Sequence, residues 1–145
     1  MSSLILAIFL ILFVILAVLS FLSRKMPEKG LINGRLSPCP GSPNCVCSEY
    51  RGPNFVEPIH FTGPPQKVWE RAKDVLLQLG SGIEVEERGY LRAVFTTKIF
   101  RFKDDVELRM ETEKSLIHIR SSSRVGYFDF GQNRKRAVKI RALFH

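Results

Sequence analysis

The run of apolar and polar positions divides the chain into three unequal parts. Residues 4–22 form an unbroken apolar stretch without charge, Pro or Gly, and sixteen of these nineteen are Leu, Ile, Val or Phe. As a helix they would extend about 28 Å at roughly 1.5 Å per residue, close to the hydrocarbon thickness of a bilayer. Residues 1–23 are therefore expected to be a transmembrane anchor. Residues 24–54 show no period and are dense in Pro and Gly, which predicts a Pro/Gly-rich linker. Residues 55–145 carry the patterns of a folded domain.

Within that domain, residues 55–61 read as a short strand, which Pro58 confines to a sheet edge. The Gly63-Pro64-Pro65 stretch opens a helix, with Thr62 or Gly63 as its cap and Pro64 as an early helical residue. Val68, Ala72, Val75, Leu76 and Leu79 make one buried stripe, with Trp69 beside it, and Gly80 ends the helix. Period-two runs follow. Ile83 and Val85 face one way, and Glu84, Glu86 and Arg88 the other. Leu91, Ala93 and Phe95 alternate with Arg92, Val94 and Thr96, and Val106, Leu108 and Met110 with Glu107, Arg109 and Glu111. After a turn at 112–115, residues 116–123 give a last strand in which Ile117 and Ile119 alternate with His118 and Arg120. Such spacing predicts an antiparallel meander of four strands. A polar and aromatic loop at 124–131 leads to a basic helix at 132–144, whose Ala137, Ile140 and Phe144 share a face. The expected class is α+β: an N-terminal transmembrane helix, then a two-layer domain in which two helices cover one face of the sheet.

Charge is unevenly distributed. The chain carries +8 at neutral pH, with a pI near 9.8. Residues 116–144 hold Arg120, Arg124, Arg134, Lys135, Arg136, Lys139 and Arg141 against Asp129 alone, seven positive and one negative, or +6 of that total. Such an excess speaks to partners rather than fold. At the other end, Arg24, Lys25, Lys29 and Arg35 follow the apolar run, so the positive-inside rule places the domain on the cytoplasmic side, with a periplasmic or lumenal placement as the alternative. A cleaved signal peptide fits less well. The run is long for a signal's apolar core, nothing basic precedes it and no clean A-x-A site follows.

The three cysteines lie in Cys39-Pro-Gly-Ser-Pro-Asn-Cys45-Val-Cys47. Cys39 and Cys45 are close enough across a turn-forming segment for a disulfide. A disulfide suits an oxidising compartment and so conflicts with the charge rule. Zinc is disfavoured, because C-x5-C-x-C is not a usual zinc spacing and only His60 and His118 remain as further ligands. No metal or other cofactor is expected.

Several of these blocks occur together in one family. Cys39 to Val46, Phe95-Thr96, Phe100-Arg101-Phe102, Asp104 to Glu107, Arg120 to Tyr127 and Gly131 to Arg136 resemble, in the same order, the family called domain of unknown function 1499. The resemblance covers about three quarters of the chain. It implies a membrane-associated module of the kind found in bacteria and plant plastids, and it carries no catalytic residue. Cys47 stands where that family usually has Ser.

Three groups of residues could carry chemistry. Arg101, Arg120, Arg124, Tyr127, Asn133 and Arg134 could form an anion pocket with the loop N–H groups at the start of the last helix. Against it, Asp104, Asp105 and Asp129 could consume the arginines in structural ion pairs, because strand ends joined by a hairpin are neighbours. Ser122 and His118 share a strand face, yet there is no G-x-S-x-G elbow, and adjacent Asp104 and Asp105 point opposite ways. No catalytic residue is assigned. The basic helix could meet lipid head groups, each exposed cation contributing about 1 kcal/mol near an anionic leaflet. Nucleic acid is disfavoured for want of a recognised motif. The expected function is a single-pass membrane protein that binds an anionic ligand, a lipid head group or a partner protein through the Arg-rich loop and basic helix. The rivals are a redox or enzymatic protein using Cys39 and Cys45, and an accessory subunit of a membrane complex.

Overall fold

The structure, a computed structural model, describes residues 2–25, 27 and 30–144. Lys29, counted above among the basic residues after the apolar run, lies outside them. Helix α1 (Ser2–Ser23) is followed by strands β1 (Cys45–Cys47) and β2 (Ile59–His60), helix α2 (Pro65–Gln78), strands β3 (Gly82–Glu87), β4 (Tyr90–Thr96), β5 (Lys103–Glu111) and β6 (Leu116–Ser123), and helix α3 (Gln132–Ala142). The class is α+β, as expected, but the sheet has six strands where four were expected. Its antiparallel order is β1-β6-β5-β4-β3, with β2 pairing the start of β6 on the same side as β1.

Local chemistry explains most boundaries. Pro64 is the cap of α2 and Pro65 its first residue, one position later than expected. A proline at N1 loses no helical hydrogen bond and arrives with φ already set. Gly80 takes φ +90°, and the N–H groups of Gly80 and Ser81 close on the carbonyls of Leu77 and Leu76. The β5–β6 hairpin turns through a 3-10 turn at Thr112–Lys114, completed by Ser115 at φ +54°.

One sheet face is apolar. Val46, Ile59, Leu91, Ala93, Val106, Leu108, Ile117 and Ile119 pack there against Ala72, Val75 and Leu76 of α2 and Ala137 and Ile140 of α3. Trp69 lies partly buried at the margin of this core. A bulge in β3 corrects the expectation that Ile83 and Val85 share a face. Ile83 pairs with Ala93 but Val85 with Arg92, so the extra residue, Glu84, reverses the alternation. Ile83 joins the helix-covered core, and Val85 a second cluster on the opposite face.

That opposite face is also covered, which the sequence did not suggest. Leu36, Cys47 and Tyr90 are buried together there, with Cys39, Tyr50 and Val85 against them. Part of the segment expected to be a tether thus forms a coil layer over the sheet and contributes β1 to its edge. Arg92 donates to the Pro27 carbonyl at 3.0 Å, and Tyr50 to the Leu36 carbonyl at 3.0 Å. Cys39 and Cys45 are joined by a disulfide, and Cys47 is a buried free thiol.

Helix α1 is long and apolar enough to cross a membrane, and its large apolar side chains face outward around most of its length. Its buried residues are instead Ser20 and Ser23, in the last turns, where the Ser23 hydroxyl donates to the Ser20 carbonyl at 2.7 Å. The helix therefore wears its apolar groups outside, which water would oppose and a bilayer would favour.

Candidate functional site

The expected ligand-binding residues do not converge on one open cleft. Residues of even number in β6 point to the coil-covered face, and the register sets them opposite odd-numbered residues of β5: Ser122 against Asp105, Arg120 against Glu107 and His118 against Arg109. Paired residues share a face, so Arg120 meets the Glu107 carboxylate directly.

Arg124, just beyond β6, forms a two-pronged bond with Asp105, Nη2 to Oδ1 at 2.7 Å and Nε to Oδ2 at 2.9 Å, and Nη2 also reaches Glu84 Oε2 at 2.8 Å. Burial alone would lower the guanidinium pKa, but the bonds and charge of Asp105, then Glu84, more than offset it, and the pKa is raised. Arg120 donates from Nη1 to Glu107 Oε2 at 2.7 Å and to Ser122 Oγ at 2.8 Å. The Tyr90 hydroxyl donates to the other oxygen of Glu107 at 2.7 Å. Burial, followed by the Glu107 charge, pushes the Tyr90 pKa up. Arg120 and Arg124 are thus committed to the protein's own carboxylates.

On the helix-covered face, Arg136 of α3 reaches Asp104 Oδ2 at 2.8 Å and lies over the Phe95 ring, 4.7 Å from its centroid. Asn133 is fully buried. Its Oδ1 accepts from Ser121 Oγ at 2.6 Å, and its Nδ2 donates to the Asn44 carbonyl, Ser123 Oγ and Asp129 Oδ2. Asn133 is therefore a structural crosslink between β6, α3 and the segment before β1.

Asp129, expected in an ion pair, instead caps the N-terminus of α3. It accepts from the N–H groups of Gly131 at 2.9 Å and Asn133 at 2.8 Å. Burial pulls its pKa up, but these bonds more than offset that, and the result lies below the usual carboxylate range. A carboxylate here occupies the position that a bound anion would need.

The remaining expected site residues are scattered. Arg134 donates to the carbonyls of Phe55 at 2.8 Å and Pro53 at 2.7 Å. Arg101 lies exposed in the β4–β5 loop at φ +58°, and Tyr127 is exposed in the loop after β6.

A network absent from the sequence reading lies at the far end of the coil-covered face. Ser48 Oγ stands 3.2 Å from His118 Nδ1, and His118 Nε2 stands 2.8 Å from Glu111 Oε2. Glu111 also bonds Arg109 at 3.2 Å and Lys114 at 2.6 Å. Arg109 pairs in turn with Glu49, whose carboxylate also holds Arg35 at 2.8 Å. Hydrogen bonds from Lys114 first, then His118, lower the Glu111 pKa to about 2.

A serine, imidazole and carboxylate in sequence is the order of an acyl-transfer relay. Here Ser48 is buried, and its Oγ accepts the Ile119 N–H at 2.8 Å. The group serves as a clamp holding the residue after β1 against β6. One partial signal was present: given the turn at 112–115, Arg109 falls opposite His118, and Glu111, two residues further along β5, lies diagonal to it on the same face.

A cluster of positive charge without a carboxylate partner lies on α3. Arg134, Lys135, Lys139 and Arg141 form no ion pair among the described residues. Beside the helix runs a groove of about 270 Å³, bounded by Phe55, Val56, Glu57, Arg134, Val138 and Arg141 among others. Its lining joins the apolar Phe55, Val56, Ala137 and Val138 to two guanidinium groups and the Glu57 carboxylate. Residues 35–144 match the model of the family described as protein of unknown function (DUF1499), and the chain belongs to that family. No curated protein matches the chain.

Proposed function

We propose that this DUF1499 protein is a single-pass membrane protein whose domain binds an acidic partner surface through the outer face of α3. The observation that carries this reading is the contrast among the basic residues. Those of β6 and the following loop are neutralised by Asp105, Glu107 and Glu84, and those of the outer α3 face are not. Unpaired surface charge steers association with an oppositely charged partner and sets its salt dependence.

Helix α3 starts beside the end of β6 and finishes near the start of β6. Arg71 of α2 donates there to the Leu143 carbonyl at 2.7 Å, and Phe144 lies beside His60 and Phe61. Its basic face therefore runs along the flank of the domain, away from the α1 end. Lys139 lies about 10 Å along the axis from Gln132, roughly one Debye length. A partner beside the domain reaches that face more readily than the head groups of the anchoring bilayer do. This favours an accessory-subunit role over a lipid-binding one for α3.

The experiment uses the full chain in nanodiscs of zwitterionic lipid, with poly-glutamate as the acidic probe. Binding is expected to weaken steeply with salt and to fall several-fold in a Lys135→Ala, Lys139→Ala double variant. Equal binding by parent and variant would remove α3 as the docking face.

The redox alternative finds less support. Cys39 and Cys45 are bonded to each other, and burial raises the pKa of the remaining Cys47 thiol. A buried thiol held in its neutral form is a poor attacking group for disulfide exchange.

A further inference from the structure

We propose that the loops at 97–102 and 124–131 form a membrane-docking edge, entering the head-group layer of the bilayer that holds α1. The proposal rests on the reading of α1 as a bilayer span.

The first observation is exposure. Ile99 is 82% exposed, Phe130 78%, Tyr127 68% and Phe128 62%, with Phe100 less exposed beside them. Single exposed apolar residues are ordinary, but five in two adjoining loops mark a contact surface. The Phe100 and Phe102 rings lie 5.8 Å apart, and the Phe128 and Phe130 rings 5.3 Å apart. Each loop thus presents its own aromatic pair.

The second observation is position. The Arg124 N–H donates to the Lys103 carbonyl at 3.1 Å, joining the two loops at one end of the sheet. From the same residue, Nη1 reaches the carbonyls of Ser23 and Lys25, each at 3.5 Å. The point where α1 leaves the domain and the two apolar loops are therefore neighbours. A bilayer spanned by α1 would meet this end of the domain before any other.

The third observation is chemistry. Phe and Tyr rings suit the boundary between hydrocarbon and head groups, and cations beside them suit lipid phosphates. Lys98 and Arg101 lie within the first loop, and Arg24 and Lys25 follow α1. Asp129 is the only acid in either loop, and both its oxygens are engaged by the start of α3. The second loop is also fastened from within: Asn44 Nδ2 donates to the Gly126 carbonyl at 2.7 Å. Its rings are thus held outward.

The test places a reporter indole in the full chain reconstituted in liposomes that carry phosphatidylcholine brominated near the head group. Phe128→Trp is compared with Glu113→Trp, which lies in the exposed turn at the opposite end of the sheet, and the parent's Trp69 emission is subtracted from both. The indole at position 128 is expected to emit to the blue of the one at position 113. It should lose most of its emission to the brominated lipid, while the indole at position 113 loses little. Alkaline extraction of the same liposomes tells the two readings apart. An alkali-resistant chain whose position-128 indole is no more quenched than the position-113 indole overturns the docking edge and leaves the anchor intact. A chain released by alkali overturns both.

Discussion

Arg124 and Asp105 face each other through two parallel hydrogen bonds, and each side chain is only 3% exposed. Removing one partner of such a pair strands the other charge out of water. Arg124→Ala is therefore expected to destabilise the domain by about 3–5 kcal/mol. A double change, Arg124→Met with Asp105→Leu, should cost less than either single change. Urea denaturation of the detergent-solubilised chain measures both. A loss below about 1 kcal/mol for Arg124→Ala would mean that the pair is effectively solvated.

Asn133 gathers groups from three segments around one buried amide. Asn133→Ala would leave the Asn44 carbonyl and the Ser121 and Ser123 hydroxyls short of a partner. The expected cost is about 1–3 kcal/mol. Amide exchange should also quicken at the start of α3 before it does in β5. Unchanged exchange there would show that Asp129 alone holds the helix start.

Glu111 gives the fold an acid-sensitive point. Its pKa is about 2 in the folded chain, against 4.5 ordinarily. A depressed carboxylate stabilises the fold fully above its unfolded pKa and loses that contribution as pH falls through the folded value. The denaturation midpoint should thus drop between about pH 4.5 and pH 2, and Glu111→Gln should flatten that drop. High salt should reduce the effect, because the partner Lys114 is largely exposed.

The three cysteines should separate in a thiol titration. The native chain is expected to react slowly or not at all, the denatured chain to release Cys47, and the reduced and denatured chain to release Cys39 and Cys45 as well. Reduction opens a loop of six residues' separation and should cost about 2 kcal/mol. Fast labelling of Cys47 in the native chain would contradict its burial.

The sequence disclosed the fold wherever a pattern was local. The limits of β6, the stripe on α2 and the apolar run of α1 follow from period and punctuation alone. It hid what depends on pairing. The bulge at Glu84 reverses two side chains without any signal in composition, and β1 is too short to carry a period. The arginines were legible as a charge excess, but whether Arg124 faced water or Asp105 depended on the register between β5 and β6. Glu107, Arg109 and Glu111 stand on the sheet face for which no cover was expected. That face is instead the floor beneath a coil whose only long apolar residues are scattered, such as Leu36 and Tyr50.

The cover over that floor has a consequence for excision. A protease cut, or a truncation, near residue 55 would remove Leu36, the bonded cysteines and β1 together, and would leave Glu107, Arg120 and the free edge of β6 open to water. Such a fragment would carry an unsealed strand ready to pair with a second copy of itself. A folded fragment lacking α1 must therefore begin upstream of Leu36, close to where that helix ends.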